Sequence, residues 1–170
     1  MKMKPRLVIL LMIVLVTAAC NKADQQALPF SVLVQASSFR EVSPPQQEPP
    51  NLFVIASQEE IVPPIAEFRF PNDMLDQLNS INFNTSFAVL FMVGQIAEAN
   101  IITEITREKE QVFIKLVDTS VGPGNYILEG YSTPYQLVAV EKTGNWNQDI
   151  EFILEDETGN LLSSTVHHIP

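Results

Sequence analysis

The sequence predicts a mainly β fold, an antiparallel β-sandwich or curled sheet of about seven or eight strands with one or two short helices. Short apolar segments rich in β-branched and aromatic residues recur along the chain. Groups containing Gly, Asn or Pro separate these segments and predict turns between strands. Only two segments have a helical pattern, and both are short.

Residues 1–19 are predicted to be a signal peptide that is removed. Lys2, Lys4 and Arg6 give a positive start, and residues 7–16 form an apolar run. That run is about half of the roughly 20 residues that a membrane-spanning helix requires. It is therefore typical of an export signal and not of a permanent span.

Cys20 is predicted to carry the membrane anchor. The small residues Thr17, Ala18 and Ala19 precede it, and the four together resemble the lipobox of bacterial lipoproteins. Cys20 is also the only cysteine in the chain, so it has no intramolecular disulfide partner. We expect a covalent diacylglycerol and acyl lipid on Cys20, with the mature chain facing the periplasm or the cell exterior. The alternative is an ordinary secretory signal followed by a free thiol.

The mature chain is predicted to be one acidic domain on a tether. Loss of Lys2, Lys4 and Arg6 leaves 7 of the 10 basic residues against 20 acidic ones, a formal charge of −13. Such a surface repels nucleic acid, which is excluded as a partner. Residues 20–29 are expected to be the lipidated cysteine and a flexible tether, and residues 30–170 a single β-rich domain.

The first elements alternate between strands and breaks. Residues 31–35 and 52–56 are predicted strands, and residues 43–50 contain four prolines that cannot continue a ladder. Ser57 and Glu60 have the spacing of a capping box and predict a short helix. A second helix is expected from Asn72 or Asp73, with Met74, Leu75 and Leu78 on one face. Both helices are expected to cover the end or flank of a sheet.

From residue 83 onward the pattern is β. The nearly continuous apolar run at 86–93 predicts a central strand covered on both faces. Two hairpins are expected further along, separated by one more strand and a turn at residues 143–145. The predicted strands are 101–107, 111–117, 135–141, 150–154 and 161–166.

Residue types that support catalysis or metal binding are scarce. The only histidines, His167 and His168, are adjacent and are expected to point to opposite faces of a frayed terminus. This disfavours both a metal pair and a Ser-His-Asp triad, so no enzyme, metal or other cofactor is predicted. Glu155, Asp156 and Glu157 are interpreted as a solvated hairpin tip. Trp146 is either an exposed contact residue or a side chain folded back over a sheet edge.

Residues from about 31 to 142 resemble the PrcB family, lipoprotein subunits of bacterial surface protease complexes, and most clearly its C-terminal domain. The segments that carry the resemblance are residues 53–60, 83–95, 121–124 and 132–142. Family members commonly carry a Thr-Gly-Gly-Tyr-like turn where this chain has Ala97, Glu98, Ala99 and Asn100.

The resemblance implies a non-enzymatic accessory subunit that assembles with an exported protease or another envelope protein. Contact through a sheet edge or loop surface is expected. The alternatives are a protease-inhibitor or ligand-binding module on the same scaffold, or a structural envelope lipoprotein. The candidate partner contacts are Ala97, Glu98, Ala99, Asn100, Gly122, Pro123, Gly124 and Trp146.

Overall fold

Nine β-strands dominate the computed structural model, which describes residues 25–39, 50–61, 72–92, 100–118 and 132–170. The same ranges contain a 3-10 helix at Gln58–Ile61 and one α-helix, α1, at Asn72–Asn79. The prediction of a mainly β fold is confirmed. The strands are β1 (Gln26–Ala27), β2 (Phe30–Phe39), β3 (Asn51–Ile55), β4 (Ser86–Met92), β5 (Asn100–Glu108), β6 (Gln111–Asp118), β7 (Ser132–Glu141), β8 (Gln148–Glu155) and β9 (Leu161–Ile169).

The strands form two sheets. One has five strands in the order β1-β5-β6-β8-β9, and the other has four in the order β2-β7-β4-β3. Neighbouring strands are antiparallel except for β6 and β8, which are parallel with Phe113 opposite Ile153. β1 and β9 therefore form the two opposite edges of the five-stranded sheet.

The main core lies between the two sheets. Phe87, Val89 and Phe91 of β4 belong to it, and the facing side of β6 contributes the alternating Val112, Ile114 and Leu116. The remaining side chains of this cluster come from β3, β5, β7, β8 and β9, with Leu28, Ala56 and Trp146 at its margins. Burial of these side chains on both inner faces holds the sandwich together.

A second core covers the outer face of the four-stranded sheet. Ala88, Leu90 and Met92, the alternate residues of β4, pack there with Met74 and Leu78 of α1. β4 is thus buried on both faces, as its continuous apolar run predicts. α1 and the 3-10 helix flank the sheet as expected, with Ile61 of the 3-10 helix also in this cluster.

One buried polar side chain joins the sheets. The ladder between β5 and β6 shifts register between Ile102 and Glu104. Gln136 of β7 is only 2% exposed, and its Oε1 accepts a hydrogen bond from the backbone amide of Ile102 at 2.7 Å. The glutamine thus supplies a partner for a donor that would otherwise be buried without one.

The predicted hairpins are confirmed at both places. Lys109 turns the chain between β5 and β6 with a φ of 55°, and Gly159 does so between β8 and β9 with a φ of 84°. Gly144 has a φ of 81° within the predicted turn after β7. Positive φ angles match the twist of hairpin strands, although only glycine adopts them without steric cost.

The start of the domain differs from the prediction. Residues 25–29 were expected to belong to the tether, but Gln26 and Ala27 form β1 opposite Arg107 and Thr106 of β5. Leu28 is 3% exposed, and its amide donates to the carbonyl of Ile105 at 2.9 Å. The chain is therefore fixed to the five-stranded sheet from Gln25 onward, and the prediction of a tether as far as residue 29 is wrong at its domain end.

The end of the chain also differs from the prediction. The frayed terminus expected around His167 and His168 is wrong, because both residues belong to β9 and pair with Ile150 and Asp149 of β8. Ile169 is fully buried in the main core. The two imidazoles nevertheless take opposite faces, since they contact different acidic partners.

Candidate interaction surface

β9 is the outer strand of the five-stranded sheet. It pairs with β8 on one side, and no strand within the described ranges pairs with its other side. Its nine residues include no Asp, Glu, Lys, Arg or Pro. Natural proteins usually protect sheet edges with charged residues, prolines or bulges, because an open edge is a template for another strand. β9 lacks the charged and proline residues of that protection.

Two of the four exposed side chains of β9 are large and apolar, and the other two are Ser164 and His168. Leu161 and Val166 are each 66% exposed, and Val32 of β2, at 48%, is the only other large apolar side chain that is exposed among the described residues. Leu161 and Val166 lie near the two ends of the strand. Among the described residues, no strand pairs with the outer backbone groups of β9, and two apolar side chains are exposed along it.

The inward face of β9 is fixed to the other sheet. His167 Nε2 lies 2.9 Å from Glu60 Oε2, and the same oxygen accepts a hydrogen bond from the amide of Ala56 at 2.7 Å. Glu60 follows β3, the edge strand of the four-stranded sheet. The predicted capping interaction of Glu60 is thus made with Ala56, one residue before Ser57. This contact holds the two edge strands together.

Lys142 adds a second link to the end of β9. Its ammonium donates to the carbonyl of Phe83 at 2.8 Å and to the backbone oxygen of Pro170 at 3.0 Å. Burial lowers the pKa of Lys142, and the negative charge of Glu60 opposes that change. The ammonium therefore supports the position of β9.

An acidic groove lies beside the outward face of β9. It has a volume of about 490 Å³ and opens between the β5–β6 turn, the start of β8 and Val166. Its lining residues are Glu108, Lys109, Glu110, Gln111, Asp149, Glu151 and Val166. The groove thus has four carboxylates, one ammonium and one exposed apolar side chain.

Two of the groove carboxylates, those of Glu151 and Asp149, are in contact with Gln111 and His168. Gln111 Nε2 donates to Glu151 Oε2 at 2.7 Å, and His168 Nδ1 lies 2.9 Å from Asp149 Oδ1. No group of three or more His, Cys, Asp or Glu side chains within the described ranges could hold a metal ion. The groove therefore offers dispersed negative charge instead of a coordination cage.

Trp146 is folded back over the sandwich. Its indole is 9% exposed, its ring centroid lies 5.3 Å from that of Phe87, and Arg107 Cζ lies 4.0 Å from the indole centroid. Trp146 Nε1 donates to the carbonyl of Thr143 at 3.1 Å. Of the two interpretations of this residue, the structure has the indole packed against the core, where little of it can meet a partner. Burial also lowers the pKa of Arg107.

The other candidate contacts are separated from Trp146. Asn100 begins β5 opposite Asp118, whereas Trp146 packs near Arg107 at the far end of that strand. Cys20, Ala97, Glu98, Ala99, Gly122, Pro123 and Gly124 lie outside the described residues. Within the described ranges, no helix is long and apolar enough to cross a membrane.

The acidic triplet at the β8–β9 turn is organised by its own backbone. Asp156 Oδ1 accepts hydrogen bonds from the amide and hydroxyl of Thr158 and from the amide of Asn160, at 2.7–2.9 Å. The hydroxyl of Thr158 is the largest cause that lowers the pKa of Asp156, followed by the bonds from Asn160. Glu157 through Asn160 are exposed, as a hairpin tip requires.

The sequence pattern alone does not identify this surface. The groove combines residues from 108–111, 149–151 and 166, which only the order of the strands brings together. Residues 161–169 contain no Asp, Glu, Lys or Arg, but the same is true of the other edge strand β2 at residues 30–39, so composition alone does not single out β9. No protein-family model, curated protein or solved structure matches the chain.

Proposed function

We propose that this chain is a lipid-anchored, non-enzymatic binding module on the extracytoplasmic side of a bacterial membrane. Its partner is an exported protein, and the resemblance to the PrcB family favours a protease. The partner adds an extended segment to the edge of β9. The single observation that carries this proposal is the edge of β9, which lacks Asp, Glu, Lys and Arg, has no second pairing strand among the described residues, and exposes two large apolar side chains, Leu161 and Val166.

Strand addition would use both the backbone and the side chains of β9. Main-chain hydrogen bonds supply affinity for any extended segment, and alternate side chains supply specificity. Leu161 and Val166 provide apolar contacts on either side of the uncharged Ser163, Ser164 and Thr165. The link from His167 to Glu60 holds the strand in place before the partner arrives, which lowers the entropic cost of binding.

The position of β1 supports an anchor at the opposite edge of the sheet. Gln25 follows Cys20 by five residues, so a lipid on Cys20 restrains Gln25 to within about 18 Å of the anchor point. β9 is four strand spacings from β1, or roughly 19 Å. The proposed binding edge is thus the edge of the sheet that is farther from the anchor.

Site-specific photocrosslinking tests the proposed edge. A benzophenone amino acid replaces Val166 in the full chain, expressed in the native membrane, and Val32 serves as the matched control. Both valines are exposed on strands at the edges of sheets. We expect an exported protein to be crosslinked at position 166 and not at position 32, with its identity read by mass spectrometry. Equal crosslinking at both positions, or none at 166, contradicts the proposal.

The anchor has a separate test. Cys20→Ser is expected to abolish metabolic labelling with palmitate and to move the protein from the detergent phase to the aqueous phase. Loss of the acyl chains removes about 0.8 kcal/mol of membrane affinity per buried methylene. Unchanged partitioning of the Cys20→Ser chain contradicts lipid anchoring without bearing on β9.

A further inference from the structure

We infer that the segment added to β9 carries a lysine or arginine whose side chain crosses Val166 and places its charge in the acidic groove. This inference rests on the proposed strand addition and specifies the chemistry of the partner. The partner segment is therefore extended, apolar in part, and basic at one defined position on its outward face.

The strand register places the groove within reach of such a side chain. Val166 is directly opposite Glu151 of β8, and His168 is opposite Asp149. An added strand would lie two strand spacings from β8, about 9.6 Å. Val166 occupies the strand between them and lines the same groove as Glu151, so a long side chain from the added strand has to cross Val166 to enter the groove.

Val166 offers an apolar surface for the methylene stem of a basic side chain, and the groove offers carboxylates for its charged head. Lysine and arginine pack their methylene stems on apolar surface while the charged head stays among polar groups. Val166 is 66% exposed and lines the groove, whose other members include Glu108, Glu110 and Glu151. An exposed valine beside several carboxylates fits this kind of side chain better than a wholly apolar or an acidic one.

The charge of the groove selects the sign of the partner. Four carboxylates face one ammonium, that of Lys109, and the whole chain has a formal charge of −10. Gln111 donates to Glu151 without neutralising it. An acidic segment would meet repulsion there, which suppresses wrong partners as effectively as attraction selects the right one.

The same charge argument disfavours a second copy of the chain. Pairing β9 with β9 would bring no lysine or arginine to the groove, because residues 161–169 contain neither. The occupant we propose is therefore a basic segment of a different, exported protein.

Peptide binding to the full-length lipoprotein in detergent micelles tests the inference. Three fluorescent peptides of alternating Thr and Val differ only at one central outward position, which is Arg, Gln or Glu. We expect the Arg peptide to bind about 5-fold more tightly than the Gln peptide, and the Glu peptide to bind most weakly. The preference for Arg is expected to shrink as salt is raised from 50 mM to 500 mM, because the groove is open to solvent.

Two variants locate the preference. Glu151→Gln keeps an acceptor for Gln111 and is expected to reduce the preference for Arg over Gln about 2-fold. Glu157→Gln makes the same charge change at the far end of the β8–β9 hairpin and is expected to leave the preference unchanged. Equal effects of the two variants overturn the groove as the source of selectivity.

The outcomes separate this inference from the proposed function. Tight binding of all three peptides with equal affinities, lost on Val166→Lys, overturns the basic side chain and leaves strand addition at β9 intact. No binding of any peptide, together with no crosslink at position 166, overturns both. A crosslink from position 166 to a second copy of the chain also overturns the basic partner.

Discussion

The two sheets of the sandwich differ in what covers their outer faces. The outer face of the four-stranded sheet packs against α1 and the 3-10 helix, so that β4 is buried on both sides. Among the described residues, the five-stranded sheet has a hydrophobic cluster only on its inner face, and its last strand exposes Leu161 and Val166. Within the part of the chain that the structure describes, side-chain packing therefore stabilises the four-stranded sheet on both faces and the five-stranded sheet on its inner face.

The largest loss of stability is expected in the second core, where α1 packs on the four-stranded sheet. Leu78 of α1 is fully buried against the four-stranded sheet. Leu78→Ala removes that contact and leaves a cavity, so we expect the free energy of unfolding to fall by about 2–5 kcal/mol, measured by urea denaturation. The matched change in the other sheet, Val166→Ala, is expected to alter it by less than about 0.5 kcal/mol. Similar losses for the two variants would contradict the distinction between the sheets.

The next largest loss of stability is expected at the hydrogen bond that joins the two sheets. Gln136→Met preserves the volume of the side chain but leaves the buried amide of Ile102 without the acceptor at 2.7 Å. We expect a loss of about 1–3 kcal/mol in the free energy of unfolding. Gln35 is exposed and lies 3.4 Å from Gln136 Nε2, so Gln35→Met is the control and should cost little. A small effect of Gln136→Met would mean that the hydrogen bond from Ile102 to Gln136 does not stabilise the contact between the sheets.

The sequence predicts the long strands of both sheets but not the short strand β1. The apolar run at residues 86–92 identifies β4, because a strand that is buried on both faces has apolar residues at nearly every position. β1 has no recognisable sequence pattern, since a strand of only two residues, Gln26 and Ala27, is too short to show periodicity. Its existence depends on Arg107 and Thr106, some 80 positions later in the chain.

The proposed binding surface is less predictable for the same physical reason. Glu60 and His167 are 107 positions apart, and their contact follows from the stacking of β3 and β9. The edge position of β9 is a property of strand order and not of its own residues. Residue types therefore predict the absence of charge on this strand but not its exposure at an edge.

The β5–β6 turn is expected to show a smaller effect with the opposite sign. Lys109 adopts a φ of 55°, where a side chain meets its own backbone. Lys109→Gly relieves that cost but adds chain entropy to the unfolded state, so we expect a net stabilisation of about 0.5 kcal/mol. Thermal unfolding measures it, and Glu110→Gly is the control, because Glu110 lacks a positive φ and should lose stability. A destabilised Lys109→Gly chain would indicate that the lysine side chain itself supports the groove.

The smallest effect is expected at the β8–β9 turn and appears only in acid. Hydrogen bonds from Thr158 and Asn160 lower the pKa of Asp156 below its ordinary value of about 3.9. A carboxylate whose folded pKa is depressed stabilises the fold above the unfolded pKa, and that contribution declines as the pH falls through the interval between the two values. The urea midpoint of the native chain should therefore approach that of Asp156→Asn as the pH falls below about 4. Glu157→Gln, one residue away on the exposed tip, is the control for the loss of a neighbouring charge. A midpoint difference that stays constant from pH 6 to pH 3 would show that the ionised form of Asp156 does not stabilise the β8–β9 hairpin. The turn would then depend on backbone pairing alone.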